Sequence, residues 1–108
     1  ENMYSDIVLD IKELRKGEMV SVMIDRGIVE YVGPTCYTTY VGIVEDIKDK
    51  KIILRNVDVY TQIVGRIKWM PEVPKLNIYS PDKKEHLDKI TIKKWYYIHR
   101  GIFFDWIN

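Results

Sequence analysis

From Glu18 onward the chain keeps a period of two. Val20, Val22 and Ile24 alternate with Ser21, Met23 and Asp25, and apolar residues at every second position make a strand with one buried and one wet face. Strand character returns over Ile28 to Val32, Tyr37 to Ile47, Lys51 to Tyr60, Lys89 to Ile98 and Ile102 to Ile107. Turn chemistry separates these runs at Asp25-Arg26-Gly27, Gly33-Pro34, Lys48-Asp49-Lys50 and His99-Arg100-Gly101. Gly42 lies inside a run, where an interior glycine marks a bend or a close backbone approach. Composition agrees with the pattern. The chain has 16 Ile and 11 Val against 5 Leu and no Ala, so it favours pleated surfaces and lacks the best helix former. A single, mainly β domain over residues 1–108 follows.

Two regions depart from the strand pattern. Ser5 can cap a helix in which Ile7, Ile11 and Leu14 form one apolar stripe. Asp6 and Asp10 early, Arg15 and Lys16 late, and Gly17 as a stop complete a short amphipathic helix over 5–16. Residues 62–88 read as an insertion before the last two strands. Ile63 to Trp69 is a further strand candidate, Pro71 and Pro74 bar a regular helix or central strand, and Lys83 to Asp88 is polar.

Several function classes are excluded by what the sequence lacks. No stretch reaches the roughly 20 apolar residues that span a bilayer, and no basic start followed by an apolar run marks a signal peptide. Cys36 is the single cysteine and has no internal disulfide partner. The expected setting is therefore cytoplasmic, with no membrane. Abundant Ile, Lys and Glu with one Gln fit a thermophilic host, although an AT-rich genome produces the same bias. No phosphate-cradling glycine loop, HExxH or GxSxG motif occurs. Cys36 has only threonines and a tyrosine nearby and lacks the base a nucleophile needs. His86 sits with Asp82, Glu85 and Asp88, but Lys83, Lys84 and Lys89 oppose a cation there. The expectation is no enzyme, no metal, no cofactor and no small-molecule substrate.

Charge is uneven along the chain. Residues 1–65 carry 8 Lys/Arg and 11 Asp/Glu, net −3, whereas residues 66–100 carry 9 and 4, net +5. The later segment therefore suits an anionic partner, or simply a solvated and protected sheet edge. Lys48, Lys50, Lys51 and Arg55 make a basic loop, and Lys93, Lys94, His99 and Arg100 a second group; together these are the candidate nucleic-acid contacts. Trp95, Tyr96, Tyr97, Phe103, Phe104 and Trp106 bring six rings into twelve residues. Strict alternation sets Trp95 and Tyr97 on one face and Tyr96 and Ile98 on the other. One face must be core, so the candidates for interface or stacking are Trp69, Trp95, Tyr97, Phe103 and Trp106.

The order of elements, a short helix, a glycine, then bent strands, resembles the Sm/Lsm domain, a small SH3-like barrel. Leu14 to Val22 resembles the helix end and first strand of that family's first motif, and Ile24-Asp25-Arg26-Gly27 its acidic-glycine turn. Tyr40 to Val44 resembles its second strand with the bending glycine, and Ile52 to Val57 its third. Ile98 to Ile107 is similar to the second motif, an apolar strand, Arg-Gly, then an apolar strand. About 60 of the 108 residues are covered. The resemblance implies a small, strongly bent barrel built from strands in 18–61 and 89–107, with ring assembly through edge strands. It also implies uracil binding by an Asp and an Asn in the loop between strands two and three. Here that loop, Glu45 to Lys51, is one residue short and holds no Asn, Lys51 standing where the Asn belongs. Only Arg100-Gly101 remains of the expected nucleotide pocket.

Three functions follow as expectations. The first is a non-enzymatic module for assembly or protein interaction, binding a protein partner or another copy of itself. The second is an Sm-like binder of single-stranded RNA. The third is a protein of viral or mobile-element origin that binds and inhibits a host factor.

Overall fold

The computed structural model describes residues 7–28, 35–64 and 82–103. They form one antiparallel sheet of six strands: β1 (Ile7–Val8), β2 (Met19–Ile28), β3 (Thr35–Lys48), β4 (Lys51–Val64), β5 (Asp82–Ile92) and β6 (Tyr97–Arg100). The sheet order is β1-β6-β2-β3-β4-β5. The expected β class holds, and the described residues contain one 3-10 turn, Ile11–Glu13, and no α-helix.

Chain reach forces this sheet to curl. β5 and β6 lie four strand spacings apart in the sheet order, about 19 Å in a flat sheet. Only residues 93–96 join them, and the five steps from Ile92 to Tyr97 reach about 18 Å when fully extended. Bends at Lys93 and Tyr96 shorten that reach further. The ends of the sheet must therefore swing toward each other. This geometry is compatible with a small β-barrel, although β1 and β5 do not pair and the hydrogen-bonded order stays open.

Gly42 and Asn56 make the bend. Leu54 and Val57 are three residues apart, yet both are fully buried in the same core, which strict alternation forbids. Between them Asn56 takes a left-handed conformation, φ 52°. Across the sheet the β3–β4 register shifts between Val41 and Ile43. A Cβ on Gly42 would stand 2.9 Å from Val57 Cγ2, 3.1 Å from the Arg55 carbonyl oxygen and 3.3 Å from Leu54 Cβ. The backbone of β3 thus rests directly on the kink of β4, and only a residue without a side chain fits.

The concave side holds the main core. Val8, Leu14, Val20, Val22, Val44, Ile52, Leu54, Val57, Ile92 and Ile98 are all buried there, and Trp95 packs against it. The opposite side of β2 is buried as well. Met23 and Tyr37 form a second cluster with Tyr97 and Phe103. Ser21 Oγ donates to the Gly101 carbonyl at 2.7 Å and accepts from the Phe103 N–H at 2.8 Å, fixing the segment after β6 across this side.

Several elements differ from the sequence expectation, each for a local reason. The helix over 5–16 is absent from residues 7–16. Ile7 and Val8 pair with His99 and Ile98, because β6 otherwise has a bare edge. Asp10 and Glu13 form a reciprocal capping box around one 3-10 turn, and the chain is extended again at Leu14. Ile11 and Leu14 still reach the core, as their spacing implied. Asp25-Arg26-Gly27 is a bulge within β2 rather than a turn. The Arg26 guanidinium ties it to β3 through Thr38 Oγ1 at 3.0 Å and the Tyr40 hydroxyl at 3.3 Å.

Residues 82–88, placed within an insertion by their polarity, belong to β5 and pair with β4. Their charges suit an exposed strand. Lys89 to Ile98 is not one strand: it breaks at 93–96, where Trp95 turns into the main core. Trp95 and Tyr97 therefore pack against different clusters, against strict alternation. Residues 102 and 103 are not strand. The expectations for 29–32, 65–81 and 104–107 lie outside the described residues.

Two substitutions test the bend and the β3–β4 turn. Gly42→Ala should destabilise the fold by about 1–3 kcal/mol, the range for overpacking, read as a lower urea midpoint; an unchanged midpoint contradicts the close approach. Asp49 and Lys50 both have positive φ, 51° and 63°, in a two-residue hairpin turn between paired Lys48 and Lys51. Lys50→Gly should raise stability by about 0.5–1 kcal/mol, since glycine suits that conformation. A drop in stability contradicts the turn.

Candidate nucleic-acid interface

Register brings two basic groups to one end of the sheet. Ile52 of β4 is paired with Ile92 of β5. One step further along, Lys51 and Lys93 stand at the same end, with Lys48 paired to Lys51, Lys50 in the hairpin turn between them and Lys94 next in the chain. Lys48, Lys50, Lys93 and Lys94 are exposed and Lys51 is half-buried. Arg55, on β4 nearer the bend, is exposed too. Among the described residues none of these six joins an ion pair.

Beside this basic end lies an open cleft of about 230 Å³ lined by Ile24, Asp25, Lys94, Trp95 and Tyr96. Trp95 is half-buried because its ring packs on the main core. Tyr96 is 54% exposed, held by its N–H to the Met23 carbonyl and stacked on Tyr37 with centroids 5.7 Å apart. A positioned, solvent-facing ring that shares a cleft with the Lys94 ammonium group can stack a planar group and hold an anionic substituent.

The remaining candidates sit elsewhere. His99 is 2% exposed, sandwiched between Tyr97 and Phe103 at 5.0 and 3.6 Å, so it does not face solvent. Arg100 binds Glu18 Oε1 at 2.5 Å and the Glu13 carbonyl at 3.5 Å, clamping β6 to the start of β2. Tyr97 and Phe103 belong to the second cluster. Trp69 and Trp106 lie outside the described residues.

The base-holding loop implied by the Sm resemblance is not formed. Residues 45–48 and 51 are strand, leaving a two-residue turn. Asp46 is occupied by the Ile47 N–H and by Lys16.

Sequence reasoning missed the carboxylates that neutralise other cations. Lys89 pairs with Glu45 at 2.6 Å and Lys83 with Asp58 at 3.1 Å, contacts across strands that no sequence spacing reveals. It also placed His86 in a polar excursion. His86 Nδ1 lies 2.8 Å from Asp58 Oδ1, joining β5 to β4. Among the described residues no cluster of His, Cys, Asp and Glu could hold a metal ion, and no helix is long and apolar enough to cross a membrane.

No protein-family model matches the chain, and no curated protein or solved structure does either.

His86 and then Lys83 hold the Asp58 carboxyl below its ordinary value of 3.8 by hydrogen bonding to its charged form. A lowered folded-state pKa adds stability at pH above the unfolded value, and that stability is lost as pH falls through the folded value. The carbon-detected titration of Asp58 should therefore have its midpoint below 3.8. Lys83→Met with His86→Gln should move it upward. A wild-type midpoint at or above 3.8 contradicts the clasp.

Proposed function

We propose that this chain binds single-stranded nucleic acid, without chemistry of its own, at the end of the sheet formed by Lys48, Lys50, Lys51, Lys93, Lys94 and Tyr96. The observation that carries the reading is the pairing register Ile52 with Ile92, which puts two lysine groups separated by some forty residues at one end of the sheet, with Lys94 sharing a cleft with the exposed Tyr96. Several other cations have carboxylate partners: Lys16 has Asp46, Lys89 has Glu45 and Arg100 has Glu18. Among the described residues the five lysines of this end have none. Stacking on one ring favours a single strand over a duplex, whose bases are already stacked. It also favours tolerance of sequence, since every base offers a π-face. The Sm-like reading of the fold is compatible with the curled sheet and the bending Gly42. A dedicated uracil pocket does not follow, because the loop that would hold the base is a two-residue turn.

Fluorescence anisotropy with single-stranded RNA and DNA oligonucleotides tests the proposal. Binding should be saturable and weaken steeply with salt, as counterion release requires. Lys51→Glu with Lys93→Glu should weaken it at least tenfold and flatten the salt slope. Tyr96→Ala should lose about 1–3 kcal/mol, the contribution of stacking one base. Absence of saturable binding, or binding untouched by these variants, overturns the reading.

A further inference from the structure

We infer that β5 is the pairing edge of a twofold dimer, with β5 of one copy antiparallel to β5 of a second and Leu87 on the axis. This goes beyond nucleic-acid binding and concerns a different surface. Among the described residues β5 pairs with β4 alone, and every residue of 82–89 except Leu87 is exposed. An unpaired edge of this kind is a template for another strand.

The charge order along β5 selects the occupant and the register. With Leu87 opposite its own copy, Glu85 falls opposite Lys89 and His86 opposite Asp88, each twice by symmetry. Lys83 and Lys84 then meet Thr91 and Ile90. Opposite charges directly across strands stabilise pairing and like charges oppose it. A one-residue shift in one direction sets Glu85 against Asp88 and Lys84 against Lys89, two repulsive pairs; a shift in the other direction sets Glu85 against Ile90 and Leu87 against Asp88 and loses both complementary pairs. Edge lysines ordinarily prevent such contacts, but about the Leu87 axis none of them faces another cation. The intrachain ion pairs are consistent with this. Lys83, Lys84, His86 and Lys89 all have carboxylate partners. Glu85 and Asp88 have no ion-pair partner among the described residues; in this register the second copy's Lys89 and His86, which already hold Glu45 and Asp58, come opposite them.

An edge-to-edge contact is at the small end of protein interfaces, so association depends on concentration. Light scattering over a dilution series should show the mass rising from one 12.9 kDa chain toward two. Glu85→Lys should weaken dimerisation at least tenfold, and Glu85→Gln should fall between it and wild type. Glu85→Lys with Lys89→Glu should restore the dimer, because residues 85 and 89 face each other about the Leu87 axis and the swapped pair is again complementary. Unchanged circular dichroism shows that each variant is folded. A wild-type monomer at every concentration overturns the inference, as does a Glu85→Lys dimer of wild-type strength or a charge swap without recovery. None of these outcomes bears on nucleic-acid binding, which the anisotropy titration decides separately.

Discussion

The missing side chain at Gly42 governs this structure. Its α-carbon lies on the kink of β4 so closely that Val57, Leu54 and the Arg55 carbonyl fill the space of a Cβ. Because β3 presses there, the left-handed Asn56 can redirect β4, and Leu54 and Val57 both enter one core. A single sheet then encloses its own apolar side. Small proteins have little apolar area to bury, and a bend that buries one sheet against itself avoids the need for a second layer.

The curl also sets what lies at each end of the sheet. The four-residue link from β5 to β6 is too short for a flat arrangement, so β6 pairs with β2 and its segment crosses close to β4. That places Lys93 and Lys94 beside the β3–β4 hairpin and turns Trp95 into the core while Tyr96 faces water. On the far side of β2, Ser21 holds the Gly101–Phe103 segment and His99 is sealed beneath Phe103. Among the described residues, the aromatic-rich stretch therefore splits into packed rings at Trp95, Tyr97 and Phe103 and an exposed one at Tyr96.

The alternation at Val20, Val22 and Ile24, the polar turn at Asp49-Lys50 and the interior Gly42 were legible in the sequence, because each reflects local backbone preference. The basic groups of the candidate interface were legible as types but not as neighbours. Lys51 and Lys93 meet only through the register of β4 against β5, which depends on contacts distant in sequence. The apolar stripe Ile7, Ile11 and Leu14 misled for a related reason. Its helical spacing is real, but Ile7 and Val8 complete β6, and tertiary pairing outweighs a helix too short to be stable on its own. Asp82 to Asp88 read as an excursion because a solvent-facing strand, charged on both sides, shows no period of two. His99 and Arg100 looked accessible in a turn, yet one lies under an aromatic lid and the other is held by Glu18.

The central claim is that the sheet curls until β5 and β6 share one core. Methyl–methyl nuclear Overhauser measurements on the protein test it most directly. Cross-peaks should connect Leu87, Ile90 and Ile92 of β5 with Val20, Val22 and Ile98 of β2 and β6, groups that belong to or pack on the same buried cluster. In a flat sheet of the same strand order β5 and β6 would lie about 19 Å apart, beyond the range of the effect. A spectrum in which β5 methyls contact only β4 neighbours would contradict the account.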